Sequence, residues 1–200
     1  MASFNLQKGN KFTIDKGIKN VLIGLGWDIG ACGTSFDIDA HAFGCVVDGQ
    51  GNPSFFNAGS HALTYANSDL KKNGKSFGTE DGSMIHTGDN RSGKGAGNDE
   101  EMLIALDKLP PEITEISIFI SIHEAKARKQ TFGKVTNSFV VLVDQDSQNE
   151  LCRYNLQQEF SDAITIQVGS LVLEGSAWKF KAVGAGTPDE ELGDVLGKLS

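Results

Sequence analysis

The feature that most constrains this chain is its run of short apolar segments, each broken off by glycine, asparagine or aspartate before a helix has room to form. VLIGLGW (21–27) is continuously apolar and FDIDAHAF (36–43) alternates. EMLIALD (101–107), EISIFISIH (115–123), SFVVLVD (138–144), AITIQVGSLVL (163–173) and WKFKAVG (178–184) are rich in β-branched and aromatic residues. Segments of this length and composition, closely spaced with turn residues between them, predict an all-β fold: an antiparallel β-sandwich or barrel. Asp48-Gly49 in VVDGQGN marks a hairpin turn. Two pieces read as helix. One is short, near EAKARKQ (124–130). The other is C-terminal, where Thr187-Pro188-Asp189-Glu190 has the form of a capping box and Leu192, Val195, Leu196 and Leu199 recur at i, i+3, i+4 and i+7. The expected organisation is a sandwich domain over 1–186 and a short helix or tail over 187–200.

A length of 200 residues suits one domain with a core of its own. The formal charge of −8 argues against nucleic acid as a partner and against a membrane role driven by basic residues, and it leaves room for cations. Cys32, Cys45 and Cys152 form no CxxC pair and read as free thiols in a reducing compartment. The N-terminus lacks the apolar region of a secretory leader, and the longest apolar stretch, around Ile116 to Ile122, is too short to span a bilayer. The expectation is a cytoplasmic protein that is not an integral membrane protein.

The stretch HTGDNRSGKGAGNDEE (86–101) admits two chemistries. Gly88 to Lys94 match GxxxxGK, the core of a phosphate-binding loop, but Gly95 stands where a magnesium-holding Ser or Thr belongs. The residues after the loop read as a strand rather than the helix whose N-terminus would face the phosphate. Asp89, Asp99, Glu100 and Glu101 would add like charge beside a nucleotide. Calcium, by contrast, takes about six to eight oxygens from carboxylates, amides and backbone carbonyls. Asp89, Asn90, Asp99 and Glu100 supply side-chain oxygens, and the glycines let carbonyls turn inward. From this loop alone, a calcium site and a solvated acidic loop fit equally well.

FDIDAHAF bears on that choice. Period-two geometry puts Phe36, Ile38, Ala40 and Ala42 on one face of a strand and Asp37, Asp39 and His41 on the other. Two aspartates about 7 Å apart on one strand face repel each other unless a cation intervenes or water surrounds them. Asp28 closes the VLIGLGW segment and adds a third acid. The expectation is that Asp28, the Asp37/Asp39 pair and the glycine-rich loop meet at one rim of the sandwich.

GLGWD (24–28), FDIDAHAF (36–43), DGSMIHTGDNRSGKGAGNDE (81–100), ARKQTFGKV (127–135), LCRYNL (151–156) and WKFKAVGAG (178–186) together resemble the TerD family of tellurium-resistance and general-stress proteins, in the family's order and over nearly the whole chain. The resemblance implies a β-sandwich that binds calcium, usually two ions, through loops at one end, without established catalysis. Relatives are described as calcium- or cyclic-AMP-binding. Carried over by position, the metal ligands are Asp28, Asp37, Asp39, Asp89, Asn90, Asp99 and Glu100. Family loops read GDNxTGxGDGDDE; this chain has Ala96 and Asn98 where acids are usual, and Lys94 adds a positive charge. Fewer negative ligands weaken calcium binding, so the expectation is one ion or two.

Other chemistries find less support. Asp144 and Asp146 begin a DxD, but Asn149 and Asn155 occupy the glycine and glutamate positions of an EF-hand, so DQDSQNE reads as a hairpin loop. No histidine pair has zinc spacing, and Ser83, Ser92 and Cys45 show no base partner. His86 reads as structural, Trp27 and Trp178 as packing residues. The surface around Arg128 and Lys129 fits a recognition site or a solvated turn equally. The function read from the sequence is a non-enzymatic, calcium-binding stress-response module whose partners are other tellurium-resistance proteins, in a complex that extends to a membrane-associated one. The alternatives are a nucleotide or cyclic-nucleotide binder using the 88–97 loop and a calcium-dependent membrane adaptor.

Overall fold

Alternation and β-branching are realised as two face-packed sheets in a computed structural model that describes residues 4–29, 36–64, 77–87, 97–156, 160–188 and 192–197. In chain order the strands are β1 (Phe4–Leu6), β2 (Lys11–Thr13), β3 (Asn20–Ile29), β4 (Ile38–Val47), β5 (Pro53–Phe55), β6 (Ala62–Leu63), β7 (Phe77–Gly78) and β8 (Met84–His86). They continue as β9 (Glu100–Ala105), β10 (Glu115–Ile122), β11 (Val135–Asp144), β12 (Asn149–Asn155), β13 (Thr165–Glu174) and β14 (Ala177–Thr187). The helices are α1 (Ala125–Arg128) and α2 (Leu192–Leu196). One sheet runs β1-β12-β11-β3-β9-β8-β7; the other runs β2-β14-β13-β10-β4-β5, with β6 also on β4.

Odd-numbered β3 residues Val21, Ile23, Leu25 and Trp27 bury their side chains between the sheets, as do Phe36, Ile38, Ala40 and Ala42 from the second sheet. The alternation predicted for FDIDAHAF therefore holds. The opposite face of β4 is covered too: Phe43, Cys45, Ala62, Phe119 and Leu192 form a second cluster, with Phe55 and Val195 against it. The C-terminal helix thus docks on the outer face of the second sheet, and Asp39 and His41, on that same face, are buried rather than solvated.

Each segment read as a strand is one, with boundaries moved by a few residues. The sandwich is antiparallel except that β1 lies parallel to β12. The short strands β1, β2 and β5 to β8 carry too few residues for a period to be visible, and in β12, where Cys152 and Tyr154 point inward, the apolar Leu151 on the other face obscures the alternation. DQDSQNE is the hairpin between β11 and β12, closed by Gln148 N–H donating to the Asp144 carbonyl (2.8 Å). In the β4–β5 hairpin, Asp48 Oδ1 accepts from the backbone N–H groups of Gln50 and Asn52, both 2.8 Å, while Gly51 takes the left-handed conformation (φ 89°). The C-terminal helix differs from expectation. β14 runs to Thr187, whose hydroxyl donates to the Thr165 carbonyl (3.2 Å) within the sheet, Pro188 is a bend, and helix is described from Leu192. Asp189, Glu190 and Leu199 lie outside the described residues.

Candidate functional site

Residues 99 and 100 are where the predicted ligand segments meet. β9 pairs with β3 only from Glu100↔Leu25 onward, so the N–H of Trp27 points past the start of β9 with no ladder partner. Asp99 fills the gap: its Oδ2 accepts the Trp27 N–H at 2.8 Å, and its own N–H donates to the Leu25 carbonyl at 2.7 Å. Glu100, one residue on, points the other way, between the sheets. It is 2 % exposed, and its Oε2 accepts the backbone N–H of Ala40 at 2.5 Å. His86 Nε2 lies 3.4 Å from the same oxygen, and the His86 ring stacks on Phe77 with centroids 4.7 Å apart. Two adjacent acids thus cap backbone donors in two different sheets.

Glycine makes the approach possible. Gly24 and Gly26 stand on the outer face of β3, where a Cβ at 24 would collide with the Asn98 side chain. A Cβ at 26 would collide with the Phe139 ring and come within 3.1 Å of the Gly97 carbonyl. Asn98 is held in turn by donating to Glu101 Oε1 (2.9 Å). The GLGW stretch therefore forms a flat floor on which residues 97–98 lie.

The predicted ligands sort into distinct places. Asp28 and Asp99 both line a cavity of about 1040 Å³ at this end of the sandwich, together with Gly97 and Asn137. Asn137 Nδ2 donates to Asp28 Oδ2 at 2.7 Å. Desolvation raises the Asp99 carboxyl above its ordinary value, the hydrogen bond from Trp27 opposes that, and the charge of Asp28 adds to it. Asp39 is joined to Glu100 through the intervening Ala40 N–H. Asp37 turns towards α1: its carbonyl accepts from His123 N–H (2.8 Å), and its carboxylate lies 3.9 Å from Arg128, which is itself held by Glu124. Asp89 and Asn90 lie outside the described residues. Among the described residues, no three His, Cys, Asp or Glu side chains converge as a metal-holding group. The donor set nearest to calcium chemistry is therefore Asp28 and Asp99, two carboxylates at one cavity wall with the loop arriving beside them.

Sequence reasoning missed one polar hub. Asp81 accepts from the hydroxyls of Thr79 (2.6 Å) and Ser83 (2.8 Å) and from the Ser83 N–H (2.9 Å), and His61 Nε2 lies 2.8 Å away. Desolvation acts to raise Asp81, but these hydrogen bonds outweigh it and hold the carboxyl below its usual range. Ser60 Oγ is 3.0 Å from His61 Nδ1. The string Ser60–His61–Asp81 has the order of a nucleophile, a base and an orienting acid, yet Asp81 already closes the turn before β8. The signal for that turn was present as TEDGS (79–83), an acid followed by a glycine with positive φ at Gly82.

The loop after Gly97 enters strand β9, so the GxxxxGK match does not open a helix. No helix among the described residues is long and apolar enough to cross a membrane.

Comparison with known proteins agrees with this architecture. The TerD domain model matches residues 1–198. The tellurium resistance protein TerD of Alcaligenes sp. is 40% identical over 190 residues, covering 92% of this chain and 91% of that protein. General stress protein 16U of Bacillus subtilis is 36% identical over 189 residues, covering 92% and 91%. A crystallised homologue of the telluride resistance protein TerD from Streptomyces coelicolor A3(2) shares the fold, with a TM-score of 0.65 at 24% identity, covering 88% of this chain and 94% of that one. The chain belongs to the TerD family of tellurium-resistance and stress-response proteins.

Proposed function

We propose that this protein is a calcium-binding, non-catalytic interaction module of the stress response, working in the cytoplasm with other tellurium-resistance proteins. The observation that supports the reading is the pair Asp28 and Asp99 lining one cavity, where desolvation and then the charge of Asp28 raise the Asp99 carboxyl above its ordinary value. A divalent ion there offsets that repulsion, and Asp89 and Asn90, assigned by family resemblance, complete its oxygen set. Asp39 and Glu100 are further ligands assigned by family resemblance, for a second ion if two are held. Ion binding would fix residues 97–100, which contact both sheets, and so present a set surface to a partner.

An ion that binds only the folded chain stabilises it by RT ln(1 + [L]/Kd), about 2.7 kcal/mol at a hundredfold excess over Kd. For a domain of this size that is roughly 5–10 °C in melting temperature. Asp99→Asn keeps an oxygen to accept the Trp27 N–H and removes the charge. The expected result is a calcium-induced rise in the parent that is lost in Asp99→Asn and in Asp28→Asn. An equal rise in all three proteins would sink the assignment.

A further inference from the structure

β2 closes its sheet at one edge, and β14 is its one strand neighbour among the described residues. Ile14 N–H donates to the Trp178 carbonyl (3.0 Å), and Ala182 N–H donates to the Asn10 carbonyl (3.0 Å). Hydrogen-bonded pairs alternate along an antiparallel ladder. Asn10, Phe12 and Ile14 therefore bond to β14, and the N–H and C=O groups of Lys11 and Thr13 point away from it, to the open edge. Backbone groups left open in this way are a template for another extended chain.

The side chains along this edge are of two kinds. Period two puts Phe12 on the core side and Lys11 and Thr13 on the outer face. Phe4 stands beside Phe12 with ring centroids 6.2 Å apart, and it is 63 % exposed. The core side of the edge is thus apolar and open. On the outer face Lys11 lies directly opposite Lys181, and Thr13 lies opposite Lys179. Like charges facing each other across a sheet are destabilising. Glu174 pairs with Lys11 and, at 2.7 Å, with Lys179. Lys181 is exposed and makes no ion pair among the described residues. Three lysines share one glutamate here, on a chain whose formal charge is −8.

We infer that β2 accepts an extended acidic peptide of a partner protein as an added antiparallel strand in which acids alternate with apolar residues. The residues opposite Lys11 and Thr13 meet the outward N–H and C=O groups. Their acidic side chains lie on the outer face beside Lys11, with Lys181 and Lys179 one strand further in. The apolar residue between them falls opposite Phe12 and covers Phe4. Lysines at a sheet edge ordinarily keep other strands away. A second copy of β2 would bring its own Lys11 and Lys181 to the seam and be repelled, whereas acids neutralise the excess. No ion takes part, so the surface goes beyond the calcium reading and does not depend on it.

The test is fluorescence anisotropy in chelator with three short peptides blocked at both ends. One alternates glutamate and valine, one alternates lysine and valine, and one has the glutamates and valines of the first in separate blocks. The alternating glutamate peptide is expected to bind more tightly than either other by about tenfold or more. Thr13→Pro removes an outward N–H and no bond to β14, a position where an edge strand tolerates proline. It is expected to weaken binding about tenfold, and Lys181→Glu to weaken it about tenfold by charge. Both variants are expected to melt with the parent. Equal binding of the block peptide, or no effect of Thr13→Pro, overturns strand addition. Equal binding of the lysine peptide, or no effect of Lys181→Glu, overturns the choice of an acidic partner. Absence of binding by the glutamate peptide overturns the whole inference. A dimer of the chain itself that Thr13→Pro abolishes overturns it in favour of a second copy.

Discussion

The carboxylate of Glu100, on one sheet, accepts the backbone N–H of Ala40, on the other, at 2.5 Å. Ala40 belongs to the part of β4 that β6 does not reach, since β6 pairs only with Ala42 and Phe43, so its N–H would otherwise face the open edge. The bond is buried and charge-assisted, a class worth about 1.5–3 kcal/mol. Glu100→Ala should therefore destabilise the protein by roughly 3 kcal/mol, through the lost bond and the orphaned donor, whereas Glu100→Gln, which keeps an acceptor, should cost less than half of that. Urea denaturation in chelator compares the two; equal losses would show that the bond is not what matters.

A second expectation concerns acid. His41 is fully buried, with Nε2 2.9 Å from Ser121 Oγ. Burial, and then the neighbouring His86, push its pKa from 6.5 down to about 3. The unfolded chain therefore binds a proton that the folded one does not. The stabilisation is fully present above pH 6.5 and is lost as the pH falls towards about 3. The slope is at most about 1.4 kcal/mol per pH unit. His41→Gln should be less stable at neutral pH yet lose less stability between pH 6.5 and about 5 than the parent does. Parallel pH profiles in the two proteins would contradict this.

Gly26→Ala offers a test of the floor under the loop. The new methyl would meet the Phe139 ring and crowd the Gly97 carbonyl at 3.1 Å. Overpacking of this kind costs typically about 1–3 kcal/mol. Because the displaced carbonyl belongs to the loop that reaches Asp99, the calcium-induced rise in melting temperature should shrink as well. Gly49→Ala, where an added Cβ meets nothing within 4 Å, serves as the control and should change neither quantity.

Thiol chemistry is a natural suspicion for a protein of a tellurium-resistance family, and two of its cysteines are poorly placed for it. Cys45 and Cys152 are both buried. Burial and the charge of Glu115 push the Cys45 thiol up to about 11, and burial and Glu150 push the Cys152 thiol up to about 12. In a Cys32→Ser background, neither should react with a disulfide reagent at pH 8 until the chain is unfolded in urea, after which both should. Prompt labelling of the native protein would show a thiolate where the fold predicts none.

Much of the sandwich was legible because long strands such as β4 and β10 keep period two over eight residues, and β13 keeps it on either side of a bulge near Val168. β1, β2 and β5 to β8 were not, because two or three residues cannot display a period; tertiary pairing alone makes them strands. Asp28 and Asp99 were legible as acids beside glycines, and their meeting followed from the β3–β9 register. The burial of Asp39 and His41 was not visible, because what packs on the outer face of β4 includes Leu192, which is distant in sequence. Nor did the sequence say that Arg128 would draw Asp37 aside, since α1 reaches that carboxylate only after the chain has crossed β10. Spacing identifies which residues share a strand face; it does not say what lies on top of them.

The first two strands edge different sheets, β1 beside β12 and β2 beside β14, and Lys11 pairs with Glu174 across a sequence separation of 163 residues. During synthesis at about 5–20 residues per second, the N-terminal segment must therefore wait on the order of 10–30 s before the strands it joins have left the ribosome. Phe4, 63 % exposed even when folded, is bare throughout that interval. Docking of β1 and β2 onto their late-made partners is then the last pairing to become possible, and a chaperone that holds nascent chains has its natural handle there.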